Sequence, residues 1–584
     1  MALAEPTRSP ISRGLKDLVR LDARAILFIL VVGCIGFVVI YPLLTLLIFS
    51  FQVGNFGGET TFGFDNWTSA YSDPILRKAM INTVTLTVSR QSIAFVVGVI
   101  LAWLLARTNI PGRNWLEFGF WIAFFLPTLP VLMGWIFLLD GDSGIINIWL
   151  EKLPFIDDSP FNIKSYWGIV FAHLALNTLV IKVMLLTPAF RNMDASLEEA
   201  ARTSGSGTIQ TLFRVVIPIL LPTIIVVTLL GTIRSLEAFE IEWILGTEDK
   251  IQVYSTIIFA RVLGAPPEYG QSTALAMLVL FMIAPLVLLQ MWFSRRRSHA
   301  VIGGKFSVRL HDLGRGRWVV FGIIATLLFG ITVVPIGFLI LGSFMRFFGY
   351  FNVDDVYTTK HWVDVMGNAQ FIAALKDTLI IATSAAVSAM VLFTLVAYMI
   401  VRTRFRGRGT LDFISWLPTT VPGIVIGFGF LWLFLQAPWP FGPILRPLYG
   451  THIALVLGLM VAGMALGVQL IKTGMGQVSL ELEEASWAAG APFLYTLRTI
   501  VLPLVAPTIA IVGVLTFVTS ARNLSTVVLL ADRGTQPLSV YQLRFIEQGD
   551  LEAGAVVGVV VLVLSMGVAI LARFLGLRVG PGRG

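Results

Sequence analysis

The chain has 584 residues, of which 56% are hydrophobic and only 13% charged, which excludes a soluble core as the home of its apolar surface and places it in lipid. A net charge of +8 would suit nucleic acid only if a soluble domain offered a basic face, and no polar stretch is long enough to form one, so no nucleic-acid partner is expected. The single cysteine, Cys34, lies in an apolar run without a partner, which excludes a disulfide framework and a cysteine metal site and reads as a small buried hydrophobe.

A bilayer core of about 30 Å needs about 20 apolar helical residues, because every backbone amide must be satisfied internally where water is absent. The N-terminal arm carries Arg8, Arg13, Lys16, Arg20 and Arg24 before an apolar run with no small-residue cleavage site, so it reads as a retained first span. Spans follow near Ile26 to Phe49, Met80 to Leu105, Phe118 to Leu139, Trp167 to Leu186, Val215 to Ile233 and Thr273 to Phe293. A second set runs near Trp318 to Leu341, Leu379 to Val401, Phe413 to Leu435, Ile453 to Ile471, Ile500 to Val518 and Ala553 to Leu571. The fold class is therefore an all-α polytopic membrane protein with two tandem six-helix halves.

Placing both termini in the cytoplasm puts the Lys and Arg excess in cytoplasmic loops, as a correctly threaded chain requires. Those loops hold the N-terminal arm, Arg107 with Arg113, the region from Arg191 to Arg214, Arg295 to Arg317, Arg402 to Arg408, Lys472 with Arg498, and the C-terminal tail. Shifting the thread by one span would expel the clusters at Arg295 and Arg402, so an even span count is favoured. The stretch from Arg295 to Arg317, with Gly303, Gly304, Gly314 and Gly316, is the one long polar linker in mid-chain. It sets the boundary of the halves: residues 1–305 and 306–584.

The halves repeat a motif. Glu199-Ala200-Ala201, Gly205, Ile217-Pro218 and Pro222 return as Glu484-Ala485-Ser486, Gly490, Leu502-Pro503 and Pro507, each pair 285 residues apart. Arg107-Thr108 with Gly112-Arg113 returns as Arg402-Thr403 with Gly407-Arg408, and Leu126-Pro127-Thr128 is matched to Leu417-Pro418-Thr419. An even number of spans per half relates the copies by an axis along the membrane normal. Each motif copy falls in a cytoplasmic loop between the fourth and fifth spans, near 195–222 and 480–507. Leu197, Ala200, Ala201 and Ser204 stand at helical spacing, and Gly205 is a natural helix stop because glycine accepts the left-handed conformation cheaply. Pro218 and Pro222 mark re-entry into the membrane.

This spacing resembles the EAA loop of binding-protein-dependent ABC importers of type I, with Ser486 in place of the second alanine and Val215 where isoleucine is usual. The resemblance implies that the loop helices, through Glu199, Ala200, Ala201, Gly205 and Pro218 and through Glu484, Ala485, Ser486, Gly490 and Pro503, couple to two copies of an ABC ATPase subunit, each glutamate pairing with a basic residue there. It also implies a periplasmic or lipoprotein solute-binding protein as partner and a bacterial inner-membrane location. No phosphate-cradling GxxxxGK[ST] loop is present, and Gly303-Gly304-Lys305 lacks the following hydroxyl residue and reads as linker. Hydrolysis, with its ATP and Mg, is thus expected on separate subunits, leaving this chain a permease with no catalytic residue, resident metal or cofactor of its own.

Beyond the fifth spans the sequences Arg234-Ser235-Leu236-Glu237-Ala238-Phe239-Glu240-Ile241-Glu242 and Ser520-Ala521-Arg522-Asn523-Leu524-Ser525 place ionisable groups near the membrane, where they are costly and often functional. Glu237, Glu240, Arg522, Asn523 and Ser525 are candidates for the translocation path. Two readings stand for the acids: they share a helix face as a cation-attracting rim, or they cap the helix at the water boundary or pair with Arg234 and Arg522. His173, Asn177, Lys182 and His452 read as hydrogen-bonding groups within or near span ends. The two-half layout and these path sequences resemble ferric-iron-type permeases, while relatives of the same layout carry thiamine, polyamines or aminophosphonates. An ion-coupled secondary transporter would explain span count and duplication equally well but has no need of matched Glu-Ala-Ala-x3-Gly helices.

Overall fold

A computed structural model describes residues 23–54, 60–154, 156, 158–247, 250–295, 310–351, 353–403, 405, 407–437, 440–532 and 534–574. The basic N-terminal arm, the C-terminal tail beyond 574, Gly303-Gly304-Lys305 and the 305/306 boundary lie outside them. In chain order the first half holds α1 (Ala23–Ser50), α2 (Pro74–Arg107), α3 (Arg113–Phe125), α4 (Thr128–Leu139), α5 (Tyr166–Arg191), α6 (Ala195–Thr203), α7 (Leu212–Leu236), α8 (Glu240–Gly246), α9 (Tyr254–Val262) and α10 (Tyr269–Arg295). The second holds α11 (Gly316–Phe344), α12 (Ala369–Arg402), α13 (Arg408–Thr420), α14 (Gly423–Gln436), α15 (His452–Gly476), α16 (Leu480–Ala488), α17 (Phe493–Ala521), α18 (Leu538–Glu547) and α19 (Leu551–Phe574).

Ten helices among the described residues are long and apolar enough to cross a membrane; the other two expected spans are broken. The third bends by 100° between α3 and α4, and the ninth by 112° between α13 and α14. The cause is local. Leu126 and Val421 both stand before a proline and adopt extended backbone, as the proline ring forces on its predecessor. The bends pair Pro127 with Pro422, not with Pro418 as the tripeptide match suggested. Counted this way, the echo keeps the spacing of Arg107 and Arg402.

In each half the second, fourth and fifth spans pack on one another: α2 with α5 and α7, and α12 with α15 and α17. The first spans cross over. α1 packs on α14 of the other half and α11 on α4, so the apolar cores mix residues of both halves. Glycines make the crossing close. A Cβ on Gly429 would lie 3.0 Å from the Pro42 side chain of α1, and one on Gly134 would collide with the Pro335 carbonyl of α11. Gly134→Ala is therefore expected to cost about 1–3 kcal/mol, the usual range for overpacking, while Gly330→Ala, with nothing near its added methyl, is expected to be neutral or better. Thermal unfolding in detergent compares the two. Cys34, expected inside, is exposed on α1.

The duplication extends to single hydrogen bonds. Trp67 Nε1 donates to Ser50 Oγ at 3.2 Å and Trp362 Nε1 to Ser343 Oγ at 3.2 Å. Asp73 caps α2 by accepting from the Ile75 amide at 2.8 Å, as Asn368 caps α12 by accepting from Gln370 at 2.8 Å.

Candidate functional site

Both Glu-Ala motifs form short helices, α6 and α16, and the same devices set their ends. Asp194 accepts from the Ser196 amide at 3.0 Å, and Ser479 from the Glu481 amide at 3.3 Å. The Ser196 amide and hydroxyl hold the Asp194 carboxyl below the usual carboxylate range. At the far ends Gly205 and Gly490 take φ of +85° and +83°, and the next amides reach back five residues, Ser206 to Ala201 at 3.0 Å and Ala491 to Ser486 at 3.1 Å. This is the left-handed glycine stop expected from sequence.

Glu199, Ala200, Glu484 and Ala485 are exposed, while Ser486 is half-buried. The second-copy departure has a local use: Ser486 Oγ bonds Thr496 Oγ1 at 2.8 Å. At the matching place in the first half Ala201 has no hydroxyl to give, and the buried Thr211 Oγ1 finds no partner among the described residues. Pro218 and Pro503 do not begin their helices. Each follows one π-helical turn, Leu212–Val216 or Leu497–Val501, inside a continuous helix, where the wider turn accommodates a residue with no amide hydrogen to donate.

The buried partners of the loop helices lie one residue earlier, at Glu198 and Glu483. Arg107 pairs with Glu198 at 3.5 Å and donates to the Phe190 carbonyl at 2.8 Å and to the Met193 carbonyl. Arg402 pairs with Glu483 at 2.9 Å and donates to the Met475 and Val478 carbonyls at 2.9 and 2.7 Å. Sequence reading counted both arginines as loop charges. The signal that could have singled them out was their recurrence in the second echo, together with a second glutamate that precedes the motif glutamate in both copies.

Beyond the fifth spans the structure corrects the expected geometry. Glu237 and Glu240 do not share a helix face: α7 ends at Leu236, and Glu240 starts α8. The Ala238 carbonyl, which would have continued the helix, accepts from Ser255 Oγ at 2.6 Å. Nor does the segment leave at the end of its span. Glu242 bonds Arg90, midway along α2, at 2.8 Å, so the chain folds back along that helix.

Arg522 Nη1 donates to the Leu126 and Phe124 carbonyls at 2.7 and 3.3 Å, the oxygens freed by the Pro127 break in the other half. Glu240 lies beside Arg522 and is met by the backbone amides of Leu524 and Ser525. Asn523 Oδ1 accepts from the Thr526 amide at 2.9 Å, and Ser525 packs on Gly423 at the start of α14. Glu240 and Ser525 are themselves 285 residues apart, so they occupy equivalent positions of the two copies. Equivalent positions can touch only near the axis that relates them. Four of the path candidates, Glu240, Arg522, Asn523 and Ser525, thus meet at the junction of the halves, while Glu237 stays in the first half with Arg234 as its neighbouring cation.

The comparisons with known proteins agree with this two-fold plan. Residues 94–299 and 390–581 each match the family described as "Binding-protein-dependent transport system inner membrane component". The chain belongs to that family. Among its relatives, the permease is 26% identical over 543 residues to the "Ferric transport system permease protein FbpB" of Actinobacillus pleuropneumoniae, covering 91% of this chain and 75% of that one. It is 27% identical to the "Probable ABC transporter permease protein y4fN" of Sinorhizobium fredii, covering 87% and 88%. It is 26% identical to the "Putative ferric transport system permease protein FbpB 1" of Haemophilus influenzae, covering 87% and 78%.

The first half of the permease also buries a charged group that sequence reading did not assemble. Arg90 donates to Glu242 and to the Ser235 carbonyl, and His173 Nε2 lies 2.8 Å from the same Glu242 oxygen. The counterparts in the second half are Ala385, Val527 and Gly458. His452 bonds Asp377 at 2.8 Å, and Asn177 reaches Thr128 at 3.4 Å, as hydrogen-bonding groups. Among the described residues no three His, Cys, Asp or Glu side chains converge as a metal site.

Proposed function

We propose that this permease forms the translocation path of an ATP-driven importer whose cargo is ferric iron, handed over by a periplasmic or lipoprotein solute-binding protein. Two copies of an ABC ATPase subunit, carrying ATP and Mg, dock on α6 and α16 through Glu199 and Glu484. Both termini lie on that cytoplasmic side, and the halves divide at residues 305 and 306. The observation that carries this reading is the duplicated loop helix, capped at both ends by the same devices and presenting an exposed motif glutamate, Glu199 or Glu484, at the equivalent position of each copy.

The path runs along the axis between the halves, past Glu240, Arg522, Asn523 and Ser525, with Glu237 flanking it. Carboxylates from the first half suit a cation, and the two relatives named for ferric transport support iron over an organic amine. Glu240→Gln with Glu237→Gln is expected to lower iron uptake at least about tenfold, roughly 1.4 kcal/mol of lost interaction, in proteoliposomes holding the full assembly and an iron-loaded binding protein. Uptake driven by an ion gradient with no ATPase present would overturn the reading.

A further inference from the structure

Arg107, fully buried, and Arg402, with its side chain 7% exposed, sit in the same arrangement in the two halves, and nothing in the docking reading uses them. Arg107 ends α2, and its guanidinium reaches the carbonyls of Phe190 and Met193, where the fourth span of the first half runs out. It also holds Glu198, next to the docking Glu199. Arg402 ends α12 and does the same with Met475, Val478 and Glu483, next to Glu484. The carbonyls and the glutamates recur 285 residues apart, as the docking glutamates do, and the arginines recur with the helices they end. The arrangement therefore belongs to the repeat unit, whereas the charged group at Arg90 does not.

The remaining oxygen of each glutamate has a different partner in each half. Tyr398 on α12 donates to Glu483 at 3.3 Å. The matching residue on α2 is Trp103, which has no hydroxyl, and its place is taken by His311 of the inter-half linker, 3.2 Å from Glu198. The linker is fastened there: the His311 amide donates to the Arg107 carbonyl at 2.7 Å, and Asn109 bonds Asp312 and the Leu313 amide. Two solutions to the same need in two diverged copies point to a requirement on the glutamate itself.

We propose that Arg107 with Glu198, and Arg402 with Glu483, are positioning joints that turn a displacement of each loop helix into rotation of its half. A guanidinium offers five donors in a rigid planar fork, so one side chain can hold the end of the second span, the exit of the fourth span and the loop helix in fixed relative orientation. Without such a joint a helix of nine residues between two turns would tilt alone when pulled. Buried ion pairs contribute little net stability against an apolar replacement, so a stabilising role alone does not account for keeping one in each half.

The inference rests on the docking reading of Glu199 and Glu484, and the experiment separates the two. The full permease is reconstituted with its ATPase and loaded binding protein, and iron uptake per ATP hydrolysed is measured beside co-purification of the ATPase. Arg107→Lys with Arg402→Lys keeps the charge but removes the fork, and Glu198→Gln with Glu483→Gln keeps the shape but removes the charge. Both are expected to retain the ATPase yet lower uptake per ATP about tenfold, each double variant more than its component singles. An unchanged ratio in both doubles would overturn the joint, as would a thermal shift in detergent unaccompanied by any change in the ratio. Loss of ATPase co-purification in these variants, with retention in a Glu199 and Glu484 variant, would overturn the docking reading instead.

Discussion

Glu199→Arg together with Glu484→Arg is expected to give a permease that inserts and folds but no longer shows substrate-stimulated ATP hydrolysis. Both side chains are exposed, and the capping contacts of α6 and α16 involve Asp194, Ser479, Gly205 and Gly490 instead. Folding should thus change by no more than about 1 kcal/mol, the usual range for an exposed charged side chain and its surface contacts. Coupling between sites is typically about 1–3 kcal/mol, so losing it should lower stimulation roughly fivefold to 150-fold per site. The singles should fall between wild type and the double. The measurement is ATP hydrolysis in liposomes with and without loaded binding protein, and intact stimulation in the double would count against docking through these residues.

Arg90→Met is expected to be the most destabilising single change in the first half, by about 3–5 kcal/mol, the range for stranding one partner of a buried ion pair. Arg90 and Glu242 are 1% and 2% exposed, which leaves the carboxylate no water to turn to once the guanidinium is gone. His173 would remain its one charged or hydrogen-bonding neighbour of the trio, and it carries charge only when protonated. Removing both charges in Arg90→Met with Glu242→Leu should recover most of the loss. The equivalent positions of the second half hold buried Ala385 and Val527, so apolar residues can occupy them. Thermal unfolding in detergent distinguishes the cases: a double variant as unstable as the single would show that packing, not charge, sets the cost.

Much of the architecture was legible because lipid imposes simple rules. Long apolar runs and two copies of one motif in register fixed the number of halves and their helical class, and they single out the loops proposed to meet a partner. The glycine stops at Gly205 and Gly490 could be read from residue type alone, since few other residues accept a positive φ without strain.

Other features depended on what a segment meets in space. Prolines occur inside several helices here, as at Pro42, Pro188 and Pro335, so Pro127 and Pro422 gave no sign by themselves that their spans would bend by 100° and 112°. The carboxylates after the fifth span looked like groups at a water boundary because sequence counts residues along the chain. Folding back is decided by Arg90, 152 residues away, and by Ser255 drawing the Ala238 carbonyl out of the helix. The adjoining glutamates 198 and 199 look alike in one dimension. Helix geometry turns one toward Arg107 and the other outward, and that separation arises from packing alone.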